Sequence, residues 1–437
     1  MRLAILGGGG FRVPQVVGAL RKRPGLGVDE VVLHDIDAHR LAVIMSVLGD
    51  APPTIRATIS LADAVLGADV IFSAIRVGGA DARVRDERRA LSLGVLGQET
   101  VGAGGIAYGL RTLPVVLAAS KTIADLAPDA WTINFTNPAG MITEAMRTVL
   151  GERVIGICDS PVGLIRRTCT ALGVRPSDAV IDYAGLNHLG WLRSLRVDGR
   201  DLLPGLLSSA SVLGSFEEGR LFGGTLLRAL GALPIEYLYF YYRPDDVLRS
   251  LRDAPTRGEV VREAQAAFYQ AADGQNAAEL WEATRRAREQ SYLAEARSSG
   301  DERDEQDLSG GGYEQVALDL IAALTGGPPA ELIVNVANGT TLPQLPADAV
   351  VEVPCIVDAN GAIPRAVDRL TLHQLGLVAS VRAAERAAID AVLHRSREHA
   401  VHAFAVHPLV CSQTLAEALL EGLLGDDPGL ARLLHTS

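Results

Sequence analysis

The 437-residue sequence predicts an α/β protein: a doubly wound parallel sheet in the N-terminal part, then a second, mixed α/β domain. Three observations carry this expectation. Short apolar β runs alternate with helical segments through the first third of the chain, the pattern of a parallel sheet covered by helices on both faces. A run of four glycines separates the first strand from the first helix. Beyond about Asn187 the alternation gives way to long helical stretches and a late return of β runs.

In order, Arg2–Leu6 is a short apolar strand ending at Gly7, and residues 14–21 form a helix with one apolar face. Residues 30–33 are a second β run, closed by Asp35. Val70–Ser73 is a third, preceded by a helical piece at 61–65. Residues 131–135 and 154–158 are later strands, separated by a helix from about 141 to 150. In the second half, 255–299 and 373–406 read as helical, and β runs return at 330–336 and 350–357. The charged stretch 298–312, ending in three glycines, reads as a flexible loop rather than a domain linker. At about 150 residues per domain the length suggests two or three domains. The division expected is a doubly wound, Rossmann-like domain over 1–190 and a mixed α/β domain over 191–437.

Composition narrows the class. With 48% hydrophobic and 21% charged residues, the chain is neither disordered nor a disulfide scaffold. A net charge of −11 argues against a nucleic-acid partner, which needs a basic footprint. Cys158, Cys169, Cys355 and Cys411 show no paired spacing, as in a reduced, intracellular chain. The apolar runs stop well short of about 20 residues, and the N-terminus has no export pattern. No membrane partner is expected, and a cytoplasmic location is.

The turn Gly7-Gly8-Gly9-Gly10-Phe11-Arg12 stands where a dinucleotide site places its phosphate turn. The match to G-x-G-x-x-G is partial, because Arg12 occupies the third glycine position. Gly7, Gly9, Gly10 and Phe11 are the candidate phosphate-turn residues. Asp35, at the end of the second strand, suits the ribose hydroxyls and favours NAD over NADP. On these residues alone, a tight β–α turn with a solvated Asp remains the alternative.

Further polar clusters follow strand-like runs or glycines: Arg76-Val77-Gly78, Gly97-Gln98-Glu99-Thr100, Asn134-Phe135-Thr136-Asn137-Pro138, Cys158-Asp159-Ser160-Pro161 and Gly185-Leu186-Asn187-His188. Ligands of open α/β sheets bind beyond the carboxyl ends of the strands, so these clusters could converge on one site.

Together with the glycine turn, Asp35-Ile36-Asp37, Tyr237-Leu238 and Val353-Pro354-Cys355, these motifs span nearly the whole chain. They resemble the NAD- and metal-dependent glycosidases of glycoside hydrolase family 4, an exception to the two-carboxylate rule. The resemblance implies a Rossmann-like half, a C-terminal part similar to that of lactate dehydrogenase, and an oxidative elimination. Hydride passes from sugar C3 to NAD⁺, a base removes the acidified C2 proton, the C1 substituent leaves, water adds, and the ketone is reduced back.

By the same resemblance, Cys158 and His188 are the ligands of a divalent metal, usually Mn²⁺, and Arg76 joins the cofactor-binding residues. Tyr237 is the C2 base, with Tyr241 in reserve in a crowded aromatic segment. Arg83, Asn137 and Arg257 clamp a phosphorylated sugar; the Arg83 run, which contains Asp86 and Glu87, also reads as a solvated helix face. Asp159 is a general acid of the kind found in α-specific members, whereas the compact length resembles the 6-phospho-β-glucosidase branch. The reading leans to β, with 6-phospho-α-glucosidase or another α-glycosidase as the alternative. A plain NAD-dependent 2-hydroxy acid dehydrogenase is the rival; it would need a His–Asp pair and no metal cysteine. A homodimer or homotetramer is expected. His399 and His402, at i, i+3, lack a completing thiol or acid and read as ordinary helix residues.

Overall fold

The computed structural model describes residues 1–252, 254–272, 276–292 and 312–434. Most of the charged stretch 298–312 therefore lies outside the described residues. The strands are β1 (Arg2–Leu6), β2 (Glu30–His34), β3 (Thr54–Thr58), β4 (Val70–Ser73), β5 (Trp131–Asn134), β6 (Val154–Gly156), β7 (Val180–Leu186), β8 (Leu189–Val197), β9 (Arg200–Asp201), β10 (Leu233–Pro234), β11 (Ala330–Ala337), β12 (Val350–Asp358) and β13 (Gly361–Pro364). All belong to one sheet, in the order β10-β8-β7-β12-β11-β6-β5-β4-β1-β2-β3, with β13 on β12 and β9 on β8.

The stretch β3-β2-β1-β4-β5-β6 is parallel throughout, the doubly wound parallel sheet expected from the sequence, with β3 as an additional exposed edge strand. Its central strands are buried on both faces, which explains their continuous apolar runs. β11 then pairs antiparallel with β6, and β12, β7, β8 and β10 continue antiparallel. Residue 190 thus falls inside β8, and the sheet runs unbroken across it.

Helix boundaries follow local chemistry. Asp37 caps helix Ala38–Leu48 by accepting from the Arg40 N–H. Thr256 with Glu259, and Thr371 with Gln374, form reciprocal capping boxes at helices Arg257–Ala271 and Leu372–Leu393. The helical stretch expected over 373–406 is two helices. Arg395 adopts φ +54°, and Ser396 caps a second helix, Arg397–Ala405. His399 and His402 lie exposed on it. The helix Gly102–Leu126 is long and apolar enough to cross a membrane, but most of it is buried inside the protein.

The loops leaving the carboxyl ends of β1, β4, β5 and β6 and the β7–β8 hairpin tip carry the glycine turn and four of the polar clusters singled out above, while Gly97–Thr100 lies between helices Gly79–Ser92 and Gly102–Leu126. β1 and β4 are neighbours whose following connections run to opposite sides, so a crevice opens between them.

Candidate active site

The crevice is a cavity of about 250 Å³. Its wall contains Gly7, Gly10, Phe11, Arg76, Arg83, Asn137, Cys158, Asp159, His188, Tyr237 and Arg257, drawn from segments more than 200 residues apart in sequence. Of the candidate site residues, Gly9 and Asp35 lie outside the wall.

The glycine turn is built by close packing. Gly7 has φ +87°, and a Cβ there would collide with the carbonyl of Ala74 at the end of β4. The Gly7 and Gly8 N–H groups both donate to the His34 carbonyl, at 2.8 and 2.7 Å. Asp35 buttresses the turn: its Oδ2 accepts from the Gly9 N–H at 3.0 Å and its Oδ1 from the Asp37 N–H at 3.1 Å. Helix Val13–Arg21 begins without a side-chain cap. Among the described residues the N–H groups of Phe11 and Arg12 have no hydrogen-bond partner, as expected of a helix start that receives an anion. Arg12 spans the crevice, its guanidinium 5.1 Å from the Tyr313 ring centroid and 4.0 Å from the Asp159 carboxylate.

Cys158 follows β6 and is almost fully buried. Burial, reinforced by the charges of Glu352 and Asp159, holds its thiol well above its ordinary value. His188 sits in the two-residue turn between β7 and β8, with φ +63°, an uncommon backbone for a residue with a side chain. The hairpin register Leu186↔Leu189 leaves no room for a longer loop, and the strained turn puts the imidazole in the cavity wall. Burial lowers His188 to about 3, so the ring is neutral, and its Nδ1 has no partner among the described residues. A neutral imidazole with an orphaned nitrogen and a buried thiol in the same wall fit a thiophilic or borderline divalent metal. No cluster of three or more His, Cys, Asp or Glu side chains capable of holding a metal occurs among the described residues. A metal held by this pair would therefore have open positions for substrate.

Tyr237 lies in the short 3-10 turn Glu236–Leu238, its ring stacked on His188. Burial and the Glu236 carboxylate push its phenol up. Tyr241 is outside the cavity, packed towards His407. Glu236 was not apparent from sequence. It accepts from Ser160 Oγ at 2.6 Å and from the Tyr292 hydroxyl at 3.2 Å, while burial pushes it up to about 7. Ser160 belongs to the Cys158 cluster, and Glu236 directly precedes Tyr237; adjacency was the one available signal.

The Arg83 helix, Gly79–Ser92, is not a solvated face at this point. Arg83, Asp86 and Glu87 are buried. Arg83 pairs with Glu87 at 2.7 Å and with Glu99 at 2.5 Å, and Arg76 also pairs with Glu99. Glu87 in turn accepts from the Gly258 N–H at 2.8 Å, tying this helix to the start of helix Arg257–Ala271. Arg257 donates to Ser291 Oγ and to the Arg288 carbonyl at 2.8 Å.

A glycine turn, a thiol, an imidazole and a phenol thus line one cavity, and the chain carries both domains of one family. Its N-terminal model, Family 4 glycosyl hydrolase, matches residues 2–174, and its C-terminal domain model matches 183–410. The chain belongs to glycosyl hydrolase family 4. The 6-phospho-beta-glucosidase of Escherichia coli (strain K12) is 31% identical, covering 97% of this chain and 94% of that protein. The structure of the Thermotoga maritima 6-phospho-beta glucosidase with manganese, NAD+ and glucose-6-phosphate superposes with a TM-score of 0.83, at 26% identity over 98% of both chains. A 6-phospho-alpha-glucosidase from gut microorganisms, in complex with NAD and Mn2+, gives a TM-score of 0.81 at 26% identity over 98% of both chains. This family 4 chain is thus an enzyme, a hydrolase of glycosidic bonds, and similar relatives act on either anomer.

Proposed function

We propose that the protein hydrolyses 6-phospho-β-glucosides, using NAD⁺ and a divalent metal, Mn²⁺ first. The observation that carries the reading is the stacking of Tyr237 on His188, beside Cys158, in the same cavity as the glycine turn. Cys158 and His188 would hold the metal, and the turn from Gly7 to Arg12 would hold the dinucleotide phosphates. Bound there, NAD⁺ supplies a hydride acceptor and the metal a Lewis acid for sugar oxygens.

The chain's own residues do the rest. Tyr237 accepts the proton from sugar C2. Its raised phenol needs a positive charge nearby to act as a base near neutrality. Asp159 donates a proton to the departing oxygen, with Arg12 holding its carboxylate in the wall. Arg257 and Asn137 orient the sugar. Arg83 and Arg76 share Glu99, so they shape the wall as an ion-paired unit. A phosphorylated substrate suits cytoplasmic work on imported sugars. The 6-phospho-α-glucoside reading is the second choice, favoured by Asp159.

The test is p-nitrophenol release from α- and β-glucosides, each with and without a 6-phosphate, in the presence and absence of NAD⁺ and Mn²⁺. Fastest release from the β 6-phosphate, dependent on both additions, supports the proposal. Fastest release from the α 6-phosphate replaces it with the alternative. Preference for an unphosphorylated sugar removes both.

A further inference from the structure

Six arginines in the cavity wall have their charge or their donors engaged. Arg76 and Arg83 share Glu99, Arg167 pairs with Glu218, and Arg12 faces Asp159. Arg40 donates to the Tyr269 hydroxyl at 3.1 Å, and Arg257 is held by Ser291 and by the Arg288 carbonyl. Arg288 differs. It lies in the last turn of helix Ala277–Gln290, in the same wall, with its guanidinium 5.8 Å from the Phe11 ring centroid. Among the described residues its guanidinium forms neither an ion pair nor a hydrogen bond. Burial, together with the like charges of Arg12 and Arg257, depresses it well below an arginine's usual value.

A half-buried guanidinium with no ion pair or hydrogen bond, whose like-charged neighbours outweigh the attraction of Glu289, is costly in the protein alone and favourable once an anion docks. Arginine's planar fork matches the oxygens of a phosphoryl group. We infer that Arg288 is a specificity-determining residue that, with Arg257, receives the phosphoryl group of the sugar substrate. The inference rests on the phosphorylated-substrate reading above. It also moves phosphoryl recognition away from Arg83, which two carboxylates already neutralise. The substrate is favoured over the cofactor pyrophosphate because the carbonyl of Arg288 anchors Arg257, placing both side chains at one helix end. The pyrophosphate has the free N–H groups of Phe11 and Arg12.

The experiment is titration calorimetry of the protein loaded with NAD⁺ and Mn²⁺, using glucose 6-phosphate and glucose, with NAD⁺ titrated separately. In Arg288→Gln, affinity for glucose 6-phosphate relative to glucose is expected to fall about tenfold or more, as for loss of a charged hydrogen-bonding partner. NAD⁺ affinity is expected to stay within about twofold of wild type. Arg288→Met, which keeps an apolar stem over Phe11, gives the same reading if the Gln variant does not fold. Unchanged discrimination in the variants overturns the inference alone, as does a loss confined to NAD⁺ binding. A wild-type protein that fails to prefer glucose 6-phosphate over glucose overturns the substrate reading, and this inference with it.

Discussion

The imidazole of His188 and the phenol ring of Tyr237 lie face to face, 3.7 Å apart at their centroids and 8° from parallel. The contact joins the β7–β8 hairpin tip to the turn after β10, so the proposed metal ligand and the proposed base are positioned by each other. Replacing Tyr237 with Phe keeps the ring and removes the hydroxyl. Turnover is expected to fall by roughly 10²–10⁴-fold, the usual contribution of a general base, with NAD⁺ affinity unchanged. Steady-state kinetics and a cofactor titration check this; near-normal turnover assigns the base elsewhere.

Metal removal should be decisive and reversible. Chelation is expected to abolish turnover, and Mn²⁺ to restore it. Cys158→Ser should weaken Mn²⁺ binding by more than the roughly 10–100-fold typical of an outer-shell change. Calorimetric titration of Mn²⁺ into the apo variant reads this without relying on activity. An affinity equal to wild type would remove Cys158 from the ligand set.

Asp159→Asn separates acid catalysis from proton abstraction. If Asp159 protonates the leaving oxygen, the variant should lose roughly 10²–10⁴-fold with alkyl glycosides and much less with p-nitrophenyl glycosides, whose leaving group needs no proton. Equal losses on both would point to a structural role through Arg12.

Gly7→Ala should cost about 1–3 kcal/mol, because the φ of +87° and the Ala74 carbonyl both oppose a Cβ. NAD⁺ affinity should fall in parallel, since the turn must open. Denaturant melts and NAD⁺ titration test the two effects; a variant as stable as wild type would contradict the packing described here.

His407 sets part of the acid limb of stability. Burial lowers it to about 3 from 6.5, so the folded protein keeps the ring neutral over a range in which the unfolded chain takes up a proton. Its contribution is therefore complete above about pH 6.5 and is lost as the pH falls towards 3, with a slope of about 1.4 kcal/mol per pH unit. Glu236, Glu352 and Glu385, each raised by burial to about 7, act with the opposite sign and favour the fold at lower pH. Comparing His407→Gln with wild type isolates the histidine. Unfolding free energies between pH 4 and 7 should converge for the two proteins as the pH falls, and parallel curves would show that His407 does not titrate as described.

β1, β2, β4, β5 and β6 were legible in the sequence because they are largely buried on both faces and read as continuous apolar runs; β3, an exposed edge strand of mixed polarity, was not. β7, β8 and β10 were not legible. The glycines at 185 and 190 interrupt their pattern, although they are needed for the close hairpin approach, where a Cβ on Gly190 would strike the Tyr183 hydroxyl. Cys158, His188 and Tyr237 came from motif resemblance rather than from periodicity, since no local spacing joins residues contributed by separate loops. Asp35 was expected at the cofactor; its carboxylate accepts from the Gly9 and Asp37 N–H groups, one on each oxygen, and so is oriented at the turn with acceptor capacity left. Arg288 and Glu236 escaped notice because their distinction is tertiary: one lacks a partner and the other is buried beside the base. Neither property is written in the sequence around them.

Proton abstraction from sugar C2 is the central claim, and it leaves an isotopic record. Hydrolysis of a p-nitrophenyl 6-phosphoglucoside in D₂O, with NAD⁺ and Mn²⁺ present, should yield glucose 6-phosphate carrying deuterium at C2, detected by NMR of the freshly formed product. Hydrogen fully retained at C2, with p-nitrophenol release that persists without NAD⁺, would contradict the account and point to direct displacement at C1.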